Sequence, residues 1–306
     1  MFRKQSVNYE TFKETILQRL SEDIPDPKHI TIRKVYRNNG ESLDGLVILE
    51  NGVNIGPTLY LNYYYRMLRD GDSFPAVYRR ILASYTRNKT SDHIDVGFFT
   101  DFERVRGRVI PKLIHGEKNK GLLEKELPHI PFLDLALVFC CLFPVDPEIG
   151  NATILVDRSH LTLWKKSAED LFPLAMENAE TLLPPKLQSI DQMLAGMLSE
   201  KDDGESPIPV NPRFPMYVLT NEEGFFGAAC MAYDGLMRSY AEQFQSGFYI
   251  LPSSIHELIL IPDKGPDRLE EFSGMVREVN ETQVAPEDLL SDHAYYYSPG
   301  EDRILY

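Results

Sequence analysis

Ser253, Ser254 and His256 fall within one string, Leu251-Pro252-Ser253-Ser254-Ile255-His256-Glu257, and a serine near an imidazole is the raw material of nucleophilic catalysis. The spacing works against that use. A nucleophile and a base two or three residues apart on one turn are poorly placed for linear proton transfer. In a regular strand His256 and Glu257 also point to opposite faces. Serines at a hairpin turn ordinarily bond their own backbone, so turn capping is the ordinary reading, with a binding site and catalysis as alternatives. Asp292-His293 offers an acid–base pair to some distant group, although adjacency alone assigns no role. Asp134 interrupts the apolar run Phe132–Phe143, where a carboxylate needs a partner or a proton unless it faces solvent. His129 lies between Pro128 and Pro131, which suits a hydrogen-bonded, partly buried ring better than a ligand. Asn280 follows Val279 at the end of a helical pattern, where asparagine accepts the left-handed conformation.

These groups need elements to place them. Phe12, Ile16 and Leu20 recur at helical spacing in residues 9–20. Strands are expected over His29–Tyr36 and Leu43–Leu49, joined through Arg37-Asn38-Asn39-Gly40, whose Asn-Gly pair suits positive φ angles. An extended piece at Pro57–Leu61 leads into helices over Asn62–Arg69 and Ala76–Asn88. A further helical pattern spans Phe102 to Leu127, broken by Pro111 and Gly116. Beyond it, strands are expected at Phe132–Leu142, Ala152–Val156, Met216–Thr220, Phe225–Tyr233, Phe248–Leu251 and Ile255–Ile261. Helices are expected at Ala168–Leu183, Ile190–Leu198, Gly235–Phe244 and Pro266–Val279, with a last hairpin over residues 294–306. Strand–strand–helix thus recurs near 132–198, 216–244 and 248–279. That pattern implies an α+β fold of antiparallel sheets with helices packed on one face. The tyrosine strings 63–65 and 295–297 read as core and core-edge residues. Stacking on nucleic-acid bases would want basic neighbours, and the second string has Asp292 and Glu301 instead.

The chain has 306 residues, enough for about two domains at about 150 residues each. With 43% apolar and 25% charged residues, it can bury a sizeable core. Charge is divided unevenly. Residues 1–127 hold 21 basic and 17 acidic side chains, residues 128–306 hold 11 and 29, and the whole carries −14. We therefore divide the chain into a mildly basic α+β region, 1–127, and an acidic α+β domain, 128–306. A mobile loop is expected at the proline- and acid-rich segment 199–215. The basic stretch Arg104 to Lys125 reads as a solvated helix face, with docking onto the acidic half and a weak anion patch as alternatives. Phosphates would be repelled by the acidic half, so nucleic acid is not expected as its partner. Cys140 and Cys141 are adjacent and Cys230 lies far along the chain, which suits buried reduced thiols in a cytoplasmic protein. The N-terminus lacks a secretory signal, and the longest apolar run is too short to span a bilayer. The phosphate-cradling motifs GxGxxG and GxxxxGK[ST], the zinc motif HExxH, the calcium-loop pattern and the GxSxG elbow do not occur, so neither a metal nor a cofactor is expected.

The strings LDGLVI, PHIPFLDLALVF, NATILV, YVLTNEEGFFGAA, YILPSSIHE and VREVNETQVAPEDLLSDHAYYY resemble the uncharacterised bacterial family DUF5688, from about Tyr9 to Tyr297. The later strings also resemble, more faintly, a second uncharacterised bacterial family. The resemblance brings no reaction, cofactor or partner. It marks the polar positions inside the strings as those to test: His129, Asn151, Asn221, Ser253, Ser254, His256, Asn280 and Gln283. His293 joins them on its own chemistry. The reading at this point is a cytoplasmic binding or protein-interaction module without catalysis. One alternative is a hydrolase-like enzyme using Ser253 or Ser254 with His256 or His293. Another is an acidic mimic of nucleic acid that binds a basic partner.

Overall fold

A computed structural model describes residues 8–24, 27–51, 56–89, 97–144, 151–193, 215–263 and 265–306. It is a mixed α+β protein with antiparallel sheets, and its chain divides into two compact units. The first comprises residues 1–37, 41–98 and 144–151; the second comprises 38–40, 99–143 and 152–306. The division falls near residue 98 rather than at Leu127, because β4 (Val109–His115) pairs along its whole length with β6 (Leu135–Pro144). A boundary at Leu127 would cut that ladder.

In the first unit, the helix Tyr9–Asp23 starts where the Asn8 side chain accepts a hydrogen bond from the Thr11 amide at 2.8 Å. Its Phe12, Ile16 and Leu20 stripe is fully buried. Strands β1 (Pro27–Tyr36), β2 (Ser42–Glu50) and β3 (Thr58–Tyr60) form an antiparallel sheet in that order. The turn between β1 and β2 has Asn39 at φ 62° and Gly40 at φ 73°, as the Asn-Gly pair implied. The helices Leu61–Arg69 and Phe74–Asn88 complete the unit. Leu46, Ile48, Leu61, Val77 and Ile81 share one core with the first helix.

The second unit holds two sheets. One runs β4–β6–β5, with β5 at His129–Phe132 and β7 (Asn151–Leu155) also paired to β6. The other has the order β13–β12–β10–β11–β9–β8. Its strands are β8 (Pro185–Ser189), β9 (Tyr217–Asn221), β10 (Gly247–Pro252), β11 (Leu258–Asp263), β12 (Tyr295–Ser298) and β13 (Arg303–Leu305). The main helices are Arg158–Trp164, Ala168–Leu182, Leu236–Phe244 and Leu269–Thr282.

Three sequence expectations change here. The pattern over Phe102–Leu127 is not one helix: short helices Phe102–Val105 and Lys120–Lys125 flank β4. Val109, Ile110, Leu113 and Ile114 mimic helical spacing, yet they lie on both faces of a buried edge strand, where Pro111 is tolerated. The stretch Arg104–Lys125 is therefore not a single helix face. The strand expected at Phe132–Leu142 is broken at Leu133, whose φ is 55°, so Asp134 sits in the β5–β6 turn rather than on a strand face. Residues 227–232 form a 3-10 helix in place of the expected strand. A Cβ on Gly227 would stand 2.3 Å from Thr220 Oγ1 and 2.4 Å from the His256 carbonyl oxygen. Glycine there lets this segment press onto β9, which pairs instead with β8 and β11. The middle strand–strand–helix repeat is lost with it.

The helix expected at Ile190–Leu198 is seen over residues 190–193; its remainder, and the 199–215 segment apart from Pro215, lie outside the described residues. All three cysteines are buried and unpaired, as expected. Burial pushes the Cys140 thiol up to about 11 and those of Cys141 and Cys230 up to about 12, so they are poor nucleophiles at neutral pH. Among the described residues no helix is long and apolar enough to cross a membrane.

A polar clasp around Asp134 and His293 as the candidate site

The candidate site grows from the β5–β6 turn. Leu133 takes the left-handed conformation and turns Asp134 out of the ladder. The close fit of residue 116 holds the turn in place: a Cβ there would lie 2.4 Å from the Asp134 carbonyl oxygen, so only glycine fits. His115 ends β4 directly opposite Leu135, beside Asp134. Asn119, buried, donates from Nδ2 to the His115 carbonyl at 2.8 Å and accepts the Asn39 amide on Oδ1 at 2.7 Å. From the other sheet, the segment leading into β12 supplies Asp292 and His293, and the first residue of β12 supplies Tyr295.

His293 Nε2 lies 3.0 Å from Asp134 Oδ2, and the Tyr295 hydroxyl donates to Asp134 Oδ1 at 2.8 Å. The other ring nitrogen of His293, Nδ1, faces the Ala294 carbonyl at 3.0 Å. A carboxylate and a carbonyl only accept, so both ring nitrogens are donors and the ring is an imidazolium in this arrangement. The Asp134 hydrogen bond is the largest cause holding the His293 pKa above its ordinary 6.5, against burial, which lowers it. Burial would raise the Asp134 carboxyl, but the bonds from His293 and Tyr295 outweigh it and keep it below 3.8. Burial drives the Tyr295 phenol well upward, so it stays a neutral donor.

A second pair adjoins the first. Lys118 Nζ bonds Asp292 Oδ2 at 2.8 Å, and His115 Nε2 lies 3.8 Å from the same oxygen. His115 is lowered from 6.5, first by burial and then by Lys118, with Asp292 and Asp134 opposing. Its ring is therefore neutral at pH 7, with Nδ1 accepting the Lys118 amide at 3.4 Å. Burial would raise the Asp292 carboxyl, but Lys118 and His115 keep it low. Asn280 donates to the Ser291 carbonyl at 2.8 Å and to Asp292 Oδ1 at 3.3 Å. It does so from within the last turn of its helix and not from a left-handed cap; Gln283 is the C-cap, at φ −126°.

The remaining candidates are spent elsewhere. Ser254 Oγ accepts the His256 main-chain amide at 3.0 Å, which is turn capping, and Ser253 Oγ meets Glu257 Oε1 at 3.4 Å. His256 Nδ1 accepts the Phe226 amide at 3.2 Å, and its Nε2 lies 3.4 Å from Asp288 Oδ1. His129 Nδ1 bonds the Leu127 carbonyl at 3.1 Å. Asn221, buried, donates to the Phe225 carbonyl at 2.7 Å. Asn151 opens β7, and its side chain lies outside the described positions.

The structure thus joins Asn280 and His293 with Asp134 and Asp292. It adds His115, Lys118 and Tyr295, which side-chain type alone did not single out. The available signal was β4: once Val109–His115 is a strand paired to β6, His115 must stand near Asp134. Among the described residues no cluster of His, Cys, Asp and Glu is arranged to hold a metal ion. The cluster can store a proton on His293, but its ring nitrogens already face acceptors and its carboxylates already face donors.

Fold and site together define an α+β protein of antiparallel sheets whose second unit is fastened by a proton-bearing polar clasp. The chain belongs to DUF5688, a family of unknown function, whose pattern matches residues 9–299. No curated protein and no solved structure matches it.

Proposed function

We propose that the chain is a cytoplasmic binding module without catalysis of its own, in which the Asp134–His293 clasp is structural. One observation carries this: both ring nitrogens of His293 are committed to acceptors. A general base needs a free nitrogen facing its nucleophile. The serines lend support, because Ser254 is engaged in its own turn. The acidic half, with 29 acidic against 11 basic residues in 128–306, favours a basic protein as partner.

The hydrolase alternative is tested directly by treating the full chain with a fluorophosphonate probe and mapping labelled peptides. Ser253 and Ser254 are expected to stay unlabelled under conditions that saturate a known serine hydrolase. Stoichiometric labelling of either, abolished by His256→Ala or His293→Ala, would replace the binding reading with an enzymatic one.

A further inference from the structure

The first unit carries a cleft that the clasp does not touch. It has a volume of about 510 Å³ and lies over β3 and the helices Leu61–Arg69 and Phe74–Asn88. Ligand sites for drug-sized molecules are about 300–1,000 Å³, so it has room for a mononucleotide. Its walls combine two chemistries. Tyr60, Tyr63 and Tyr64 present rings, and Arg80, Arg87 and Asn88 present donors.

The ring wall is fixed rather than loose. Tyr60 and Tyr63 meet edge to face, with centroids 6.1 Å apart. Arg37 lies over the Tyr60 ring at 5.0 Å and donates to its hydroxyl at 3.1 Å. Arg66 lies over the Tyr63 ring at 6.0 Å. These guanidinium groups hold the rings and add positive charge beside them. Of the two lining arginines, Arg80 is bound to Asp72 at 3.1 Å. Arg87 is exposed and has no acidic partner among the described residues. An arginine fork without a carboxylate, beside a wall of tyrosine rings, is suited to a planar ring carrying an anionic tail: the ring lies on tyrosine and the fork takes two anion oxygens.

We propose that this cleft binds a nucleoside monophosphate, with the base against Tyr60, Tyr63 and Tyr64 and the phosphate on Arg87. The site lies wholly in the first unit and does not depend on the clasp reading. The test is calorimetric titration of the full chain with AMP, adenosine and inorganic phosphate in parallel. AMP is expected to bind saturably, at least tenfold tighter than adenosine or phosphate alone. Arg87→Gln, at an exposed position that leaves the core intact, is expected to weaken AMP at least tenfold, and Tyr63→Ala to weaken AMP and adenosine alike. Circular dichroism of both variants confirms folding. Phosphate binding as tightly as AMP would reduce the cleft to a plain anion site and overturn the proposal. Absence of AMP binding at millimolar concentration, or AMP binding unchanged in Arg87→Gln, would also overturn it.

Discussion

Replacing Asp134 with alanine is expected to cost about 2–3 kcal/mol of stability, a figure set by two hydrogen bonds to a charged group at about 1.5–3 kcal/mol each. It falls below their sum of about 3–6 kcal/mol because the Asp134 and His293 side chains keep 29% and 31% of their surface exposed, so water takes up part of the loss. The variant strands an imidazolium and a largely buried phenol at once, which makes it worse than losing either bond alone. The effect depends on pH in a definite direction. Folding raises the His293 pKa above 6.5, so its contribution is complete below that value and fades as pH rises through the folded pKa. Folding lowers Asp134 below 3.8, so its contribution is present above that value and is lost as pH falls through the folded pKa. The advantage of the native chain over Asp134→Ala is therefore largest between these limits, and urea unfolding at pH 5.5 and pH 9 measures it. A difference that grew toward pH 9 would contradict the assignment of charge.

Phe139→Ala is expected to be the most damaging single truncation near the site, at about 3–5 kcal/mol, because a fully buried ring leaves a cavity that a central strand cannot close. Phe139 sits in β6 opposite Pro111 of β4, and its carbonyl accepts the Val156 amide at 2.9 Å. The same strand begins at the turn that aims Asp134. Denaturant midpoints are expected to fall sharply, with Phe139→Leu recovering part of the loss because it leaves a smaller cavity than alanine. A loss below about 1 kcal/mol for the alanine variant would mean that β6 is not the packed centre of its sheet.

Local chemistry made part of this structure legible. Asn39-Gly40 announced its turn because positive φ is a property of the two residues themselves. The Phe12–Ile16–Leu20 stripe and the β10–β11 hairpin were likewise readable from spacing and short-range turn residues. β4 was not, because Val109, Ile110, Leu113 and Ile114 satisfy helical spacing equally well, and only pairing with β6 decides between the two. The site shows the same division. Asp134 stood out as a carboxylate in an apolar run and His293 as an imidazole beside an acid, but they lie 159 residues apart in sequence. Their meeting depends on a left-handed Leu133, on a glycine at 116 that β4 brings against the turn, and on the pairing of β12 with β10, and the last two are long-range features that the residues beside Asp134 and His293 do not encode.

The central claim is that His293 is a committed double donor and not a poised base. Nitrogen-15 NMR of the histidine side chains across pH reads this directly. In the native chain, His293 is expected to show two protonated ring nitrogens at pH 6.5 and to titrate above that value, with Asp134→Asn shifting the titration downward. A neutral His293 ring at pH 6.5, with one unprotonated nitrogen and a titration unmoved by Asp134→Asn, would contradict the clasp.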